Sequence, residues 1–168
     1  MARSRAALRV GIIGGIVLSV AIAAQQITDS PDLQFLGYII TLGGLCVVGY
    51  MAARDVGDYA RTPAMRAGAV GGLIAGLITS LAVVAVLLVL SVTGVNLQRI
   101  DAAIRELYTP EQLQQYASLG ITVDMIAQTT TLIQILCCPA GLPIMGVLLG
   151  TLGGSFVHGL YGRGPRDG

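Results

Sequence analysis

Four stretches of the chain are long and apolar enough to cross a lipid bilayer, and that alone decides the class of fold. A helix traverses the hydrocarbon core in about 20 residues. Residues 7–24, 33–53, 64–93 and 130–161 approach or exceed that length and contain no Asp, Glu or Lys. Lipid offers no hydrogen bonds, so a spanning segment must satisfy its own backbone, which a helix does. The expected fold is therefore all-α, an integral membrane four-helix bundle. Composition agrees: 54% of residues are hydrophobic and only 11% are charged, against about 25% charged in a soluble domain. Membrane lipid is the first expected partner. A net charge of +1 with no basic stripe argues against nucleic acid as another.

The arginines orient the spans. Arg3, Arg5, Arg9, Arg54, Arg61, Arg66, Arg163 and Arg166 gather on one side; only Arg99 and Arg105 lie on the other. Basic residues mark the cytoplasmic face, so both termini are expected in the cytoplasm. Residues 1–23 also show a basic start, an apolar core and Ala21-Ile22-Ala23, the pattern of a cleaved leader. An internal repeat favours keeping this segment as a permanent span.

That repeat joins spans one and three, and spans two and four. ALRVGIIGGIV (7–17) matches AMRAGAVGGLI (64–74) at five of eleven positions, and TLGGLCVVGYM (41–51) matches TLGGSFVHGLY (151–161) at six of eleven. One membrane domain over 1–168 is expected, built from two parallel-repeat hairpins, 1–60 and 61–168, with an outer loop at 94–129. Such repeats are related by an axis along the membrane normal.

Glycine supplies the packing prediction. Gly68, Gly72 and Gly76 are spaced four apart in span three, as are Gly146, Gly150 and Gly154 in span four. Gly11 and Gly15 lie in span one, and Gly43 and Gly44 in span two. Residues four apart share a helix face. A face without side chains lets two backbones approach closely, which holds helices together where lipid supplies no hydrophobic drive. These ten glycines are the expected helix-packing residues, concentrated toward the cytoplasmic leaflet, with bulkier outer halves splayed apart.

In the outer loop, Asn96 is expected to cap an amphipathic helix presenting Leu97, Ile100, Ile104 and Leu107 on one face. That face is the candidate partner-docking surface. Thr109-Pro110-Glu111-Gln112 reads as a second helix start, with Gly120 ending that helix. Span four is expected to be broken in character at Pro139 and Pro143.

Chemical equipment is sparse. The spans hold no acidic residue for proton- or sodium-coupled transport. Cys46, Cys137 and Cys138 have neither disulfide nor zinc spacing and read as small apolar filler. His158, the only histidine, reads as a packed or interfacial imidazole ahead of a haem or chlorophyll ligand. Thr79, Ser80, Gln134 and Thr151 are candidates for hydrogen bonds between helices. No catalytic residues, cofactor or metal site is expected.

The run Gly43-Gly44…Gly49-Tyr50…Ala53-Arg54, followed by Arg66-Ala67-Gly68…Gly71-Gly72…Gly76, resembles families of small, glycine-rich four-helix membrane proteins of bacteria and archaea. The resemblance implies a multi-pass protein of a prokaryotic plasma membrane and brings no activity or cofactor with it. The expectation is a non-enzymatic scaffold or accessory subunit, a homo-oligomer or part of a larger membrane complex. A passive pore for a small neutral solute, or a lipid, quinone or pigment binder, is the alternative.

Overall fold

The computed structural model describes residues 2–27 and 31–162. Arg163, Arg166 and Asp29, which entered the orientation argument, lie outside the described residues. So do the side chains of Arg3, Asn96 and Cys138. The described chain forms six helices: α1 (Ala2–Ile27), α2 (Pro31–Val56), α3 (Arg61–Val92), α4 (Val95–Leu107), α5 (Pro110–Ser118) and α6 (Val123–Tyr161).

Four of them are long and apolar enough to span a bilayer: Arg5–Gln25, Phe35–Val56, Arg61–Val92 and Val123–Tyr161. These coincide with the four apolar stretches of the sequence and suit a multi-pass membrane protein. Their outward faces are apolar: Phe35 is 67% exposed, Leu81 71% and Leu136 68%. A surface this apolar aggregates in water and is matched by acyl chains.

One sequence expectation fails at once. α6 runs unbroken for 39 residues through Pro139 and Pro143. Proline removes a backbone hydrogen bond, but in a membrane helix neighbouring groups re-satisfy the freed carbonyl.

The chain falls into two compact units, Met1–Val83 with Ala140–Gly168, and Val84–Pro139. In the first, the hydrophobic positions of α1 and α2 interlock with glycines of the other helix. A side chain at Gly14 would strike Val48, and one at Gly44 would strike Leu18. The residue numbers run in opposite senses, so α1 and α2 form an antiparallel hairpin. Gly11 faces Ile74 and Gly15 faces Ile78, so α3 runs parallel to α1. α6 runs antiparallel to α3. Direction therefore alternates at each long helix. Among the described residues this unit holds a core of Leu18, Leu45, Val48 and Ala75 and another of Ala53, Ala64, Ala67 and Val157.

The second unit is built differently. α4 lays Ile100 and Ile104 onto Ala127 of α6, with Tyr108, Leu113, Val123 and Ile126 around them. Gly94, at φ 75°, precedes α4, and no side chain caps the helix start. The cap expected at Asn96 is thus replaced by a left-handed glycine, a conformation most residues avoid. α5 begins as expected. The Thr109 hydroxyl accepts from the Gln112 amide at 3.4 Å, and the Gln112 side chain accepts from the Thr109 amide at 3.0 Å. Gly120, at φ 78°, closes the turn beyond it.

Candidate functional site

α3 and α6 meet backbone to backbone in the first unit, and glycine makes that contact. A Cβ at Gly68 would collide with the carbonyl oxygen of Gly150, and a Cβ at Gly150 with the carbonyl oxygen of Gly68. One turn further along, Gly72 and Gly146 stand in the same reciprocal relation. Gly76 lies against the backbone of Leu142 and Pro143, where an added Cβ would sit 2.6 Å from the Leu142 oxygen. Gly154 faces the Ala64 carbonyl oxygen. Each missing side chain is thus replaced by backbone of the partner helix. Backbones that approach this closely are where Cα–H···O=C contacts form, each contributing about 0.5–1 kcal/mol.

Eight further approaches involve α1 and α2. An added Cβ would lie 2.8 Å from the Gly71 oxygen at Gly11, and 2.9 Å from Ile78 Cβ at Gly15. The buried Thr79 hydroxyl donates to the Gly15 carbonyl at 3.4 Å, bridging α3 and α1. Gly49 meets the Gly150 backbone, and Gly153 meets that of Cys46. Sequence spacing did not single out Gly14, Gly71 or Gly153, because each belongs to an adjacent glycine pair whose partner fits the four-residue pattern.

Of the ten expected packing glycines, nine abut a neighbouring helix. The exception is Gly43: a Cβ there meets nothing within 4 Å. Its neighbour Gly44 takes the inward position, since adjacent residues on a helix point about 100° apart. Thr151 is a second correction. Its hydroxyl donates to the Val147 carbonyl at 2.6 Å within α6 and bridges no helices.

The expected docking face is also revised. Ile100 and Ile104 are 8% and 5% exposed, covered by their own unit, whereas Leu97 and Leu107 remain exposed. The amphipathic spacing was real, but the chain buries half of that face itself. Beside that face, Arg105 Nε donates to Asp101 at 2.8 Å, which holds that guanidinium above its ordinary pKa.

At the end of the first unit that bears Arg54, Arg61 and Arg66, three elements converge. His158 Nδ1 lies 2.9 Å from the Tyr59 carbonyl oxygen. A carbonyl only accepts, so Nδ1 carries the proton and donates, tying the α2–α3 turn to α6. The Tyr59 and Tyr161 rings lie 5.4 Å apart, and the Tyr50 and Tyr161 hydroxyls 3.4 Å apart.

Beside this cluster α3 and α6 frame an open groove of about 360 Å³, lined by Arg61, Thr62, Met65, Arg66, Ala69 and Thr151. Among the described residues no acidic side chain lines it, and none lies in the first turn of α3. Among the described residues neither Arg61 nor Arg66 makes an ion pair. The groove escaped the sequence reading, where both arginines were counted only as orientation signals. Among the described residues no cluster of His, Cys, Asp or Glu has the arrangement of a metal site.

Comparison with known proteins adds no further identification: no protein-family model, curated protein or solved structure matches the chain.

Proposed function

We propose that this protein is a non-enzymatic, multi-pass membrane scaffold or accessory subunit. In this reading its long helices form a four-helix bundle of two hairpins in the same orientation. Both termini face the cytoplasm of a prokaryotic cell, and the protein works by self-association or as part of a larger membrane complex.

The observation that carries the proposal is the reciprocal backbone contact of Gly68 with Gly150 and Gly72 with Gly146. Two polypeptide backbones in direct contact over successive turns make a stiff block with little room for side-chain rearrangement. A stiff block wrapped in exposed apolar side chains suits a part that positions other things. It does not suit a carrier, which must rock or open to move its substrate. The absence of acidic residues from the four apolar stretches supports the same direction.

The test is native mass spectrometry of the protein extracted in mild detergent. A defined oligomer or a stoichiometric co-purifying protein is expected. A strict monomer with no companion would remove the scaffold reading.

A further inference from the structure

We infer that the groove of Arg61, Thr62, Met65, Arg66, Ala69 and Thr151 is a seat for an anionic phospholipid, its phosphate held by the two guanidiniums. This rests on the reading that α3 and α6 span the membrane.

Charge is the first support. Two guanidiniums that make no ion pair among the described residues line one groove, and no carboxylate of the described residues is among its walls. Arginine's planar fork of N–H donors matches phosphate oxygens. The Thr62 hydroxyl makes no hydrogen bond among the described residues and adds a donor beside them. The Thr151 hydroxyl is engaged with Val147 and serves as wall, not as ligand.

Position is the second. Arg61 and Thr62 open α3, and Met65 and Ala69 follow one and two turns deeper on the same face. Continuing by four residues, that face reaches Leu73 and Leu77, exposed at 37% and 47%. From Thr151 on α6, steps of three and four residues reach Leu148 and Ile144, exposed at 55% and 64%. A polar, cationic mouth therefore passes into an apolar lane within a few turns. That sequence of surfaces is the one a phospholipid presents, headgroup first and acyl chains after. A free phosphate would use the mouth and leave the lane without a purpose, so the occupant is a lipid.

Electrostatics alone draws anionic lipid toward any basic end, so the test must separate a seat from a general attraction. Full-length protein in mild detergent is titrated with dioleoyl phosphatidylglycerol, dioleoyl phosphatidylcholine or inorganic phosphate, and bound molecules are counted by native mass spectrometry. The variants are R61Q/R66Q and, as an equal loss of charge at the same end, R5Q/R9Q. One retained phosphatidylglycerol per chain is expected, with weaker phosphatidylcholine binding and no competition from inorganic phosphate. R61Q/R66Q is expected to weaken phosphatidylglycerol roughly 10- to 30-fold, and R5Q/R9Q to weaken it by less than about threefold. Equal loss in both variants, equal retention of the two lipids, or displacement by phosphate would overturn the seat. The membrane reading fails separately: it falls if the protein stays in solution without detergent. A protein that needs detergent yet shows no lipid preference loses only the seat.

Discussion

The two compact units of this chain are held together by opposite means. In the first, contact is made by what is missing: at Gly68, Gly72, Gly146 and Gly150 the backbone of one helix occupies the place of the other's side chain. In the second, contact is made by what is present: Ile100 and Ile104 press on Ala127, and Thr109 and Gln112 cap α5 reciprocally. The difference follows from the solvent each pattern suits. Apolar side chains gain nothing by leaving lipid for one another, so packing distance and backbone dipoles decide. An amphipathic helix gains by hiding its apolar face, as it does from water.

Substitutions can break this contrast, and the largest effects belong to the glycine crossing. Gly72→Leu and Gly150→Leu each drive a bulky side chain into backbone that cannot step aside. Each should cost about 3 kcal/mol or more and lower the melting temperature in detergent markedly. Unchanged melting for both would mean that the bare faces meet no helix. Next comes the second unit. Ile104→Ala removes a buried side chain from a small cluster and should cost about 2 kcal/mol. The loss should appear as faster amide exchange within α4, with the glycine crossing still protected.

Thr109→Ala should loosen the start of α5 by about 1 kcal/mol, visible as lost protection at the Gln112 amide. Gly43→Ala should cost nothing and stabilise α2 by up to about 1 kcal/mol through helix propensity, since the new methyl group meets open space. Destabilisation there would show that Gly43 packs against something outside this chain.

The smallest effect is a pH dependence. The Glu111 carboxylate is held below its ordinary pKa, first by its own backbone N–H and then by the Thr109 side chain. A depressed folded pKa means that its support for α5 is present above the ordinary carboxylate range. The support is lost as pH falls through the folded value. Protection of the first turn of α5 should therefore decline only on acidification, and Glu111→Gln should remove the dependence.

How far the sequence could be read follows the same contrast. Apolar length places α1, α2 and α3 to within about five residues, and α6 except that it starts at Val123, seven residues before the expected 130, because apolar content is a property of composition summed over a whole span. Four-residue glycine spacing marks a bare face on α3 and another on α6, because the spacing is local to each helix, but it does not say which helix each face meets. Thr109, Pro110 and Gln112 announce α5 because a capping box is local. What stayed hidden depends on neighbours distant in sequence. No spacing tells which of Gly43 and Gly44 turns inward, or that Ile100 and Ile104 find Ala127. Pro139 and Pro143 suggested a break, and the helix is continuous there because context outweighs their local preference. The groove beside Arg61 and Arg66 needs Thr151, 85 positions away in the sequence from Arg66.

The most direct test of the glycine crossing is a magnetic resonance measurement. Protein protonated only at glycine Hα is placed in nanodiscs of deuterated lipid, and dipolar contacts between Hα atoms are recorded. Cross-peaks from Gly72 to Gly146 and from Gly68 to Gly150 are expected. In matched samples with protonated lipid, these glycines should show no contact with acyl chains. Missing glycine pairs, with strong acyl contacts at the same four positions, would contradict the account.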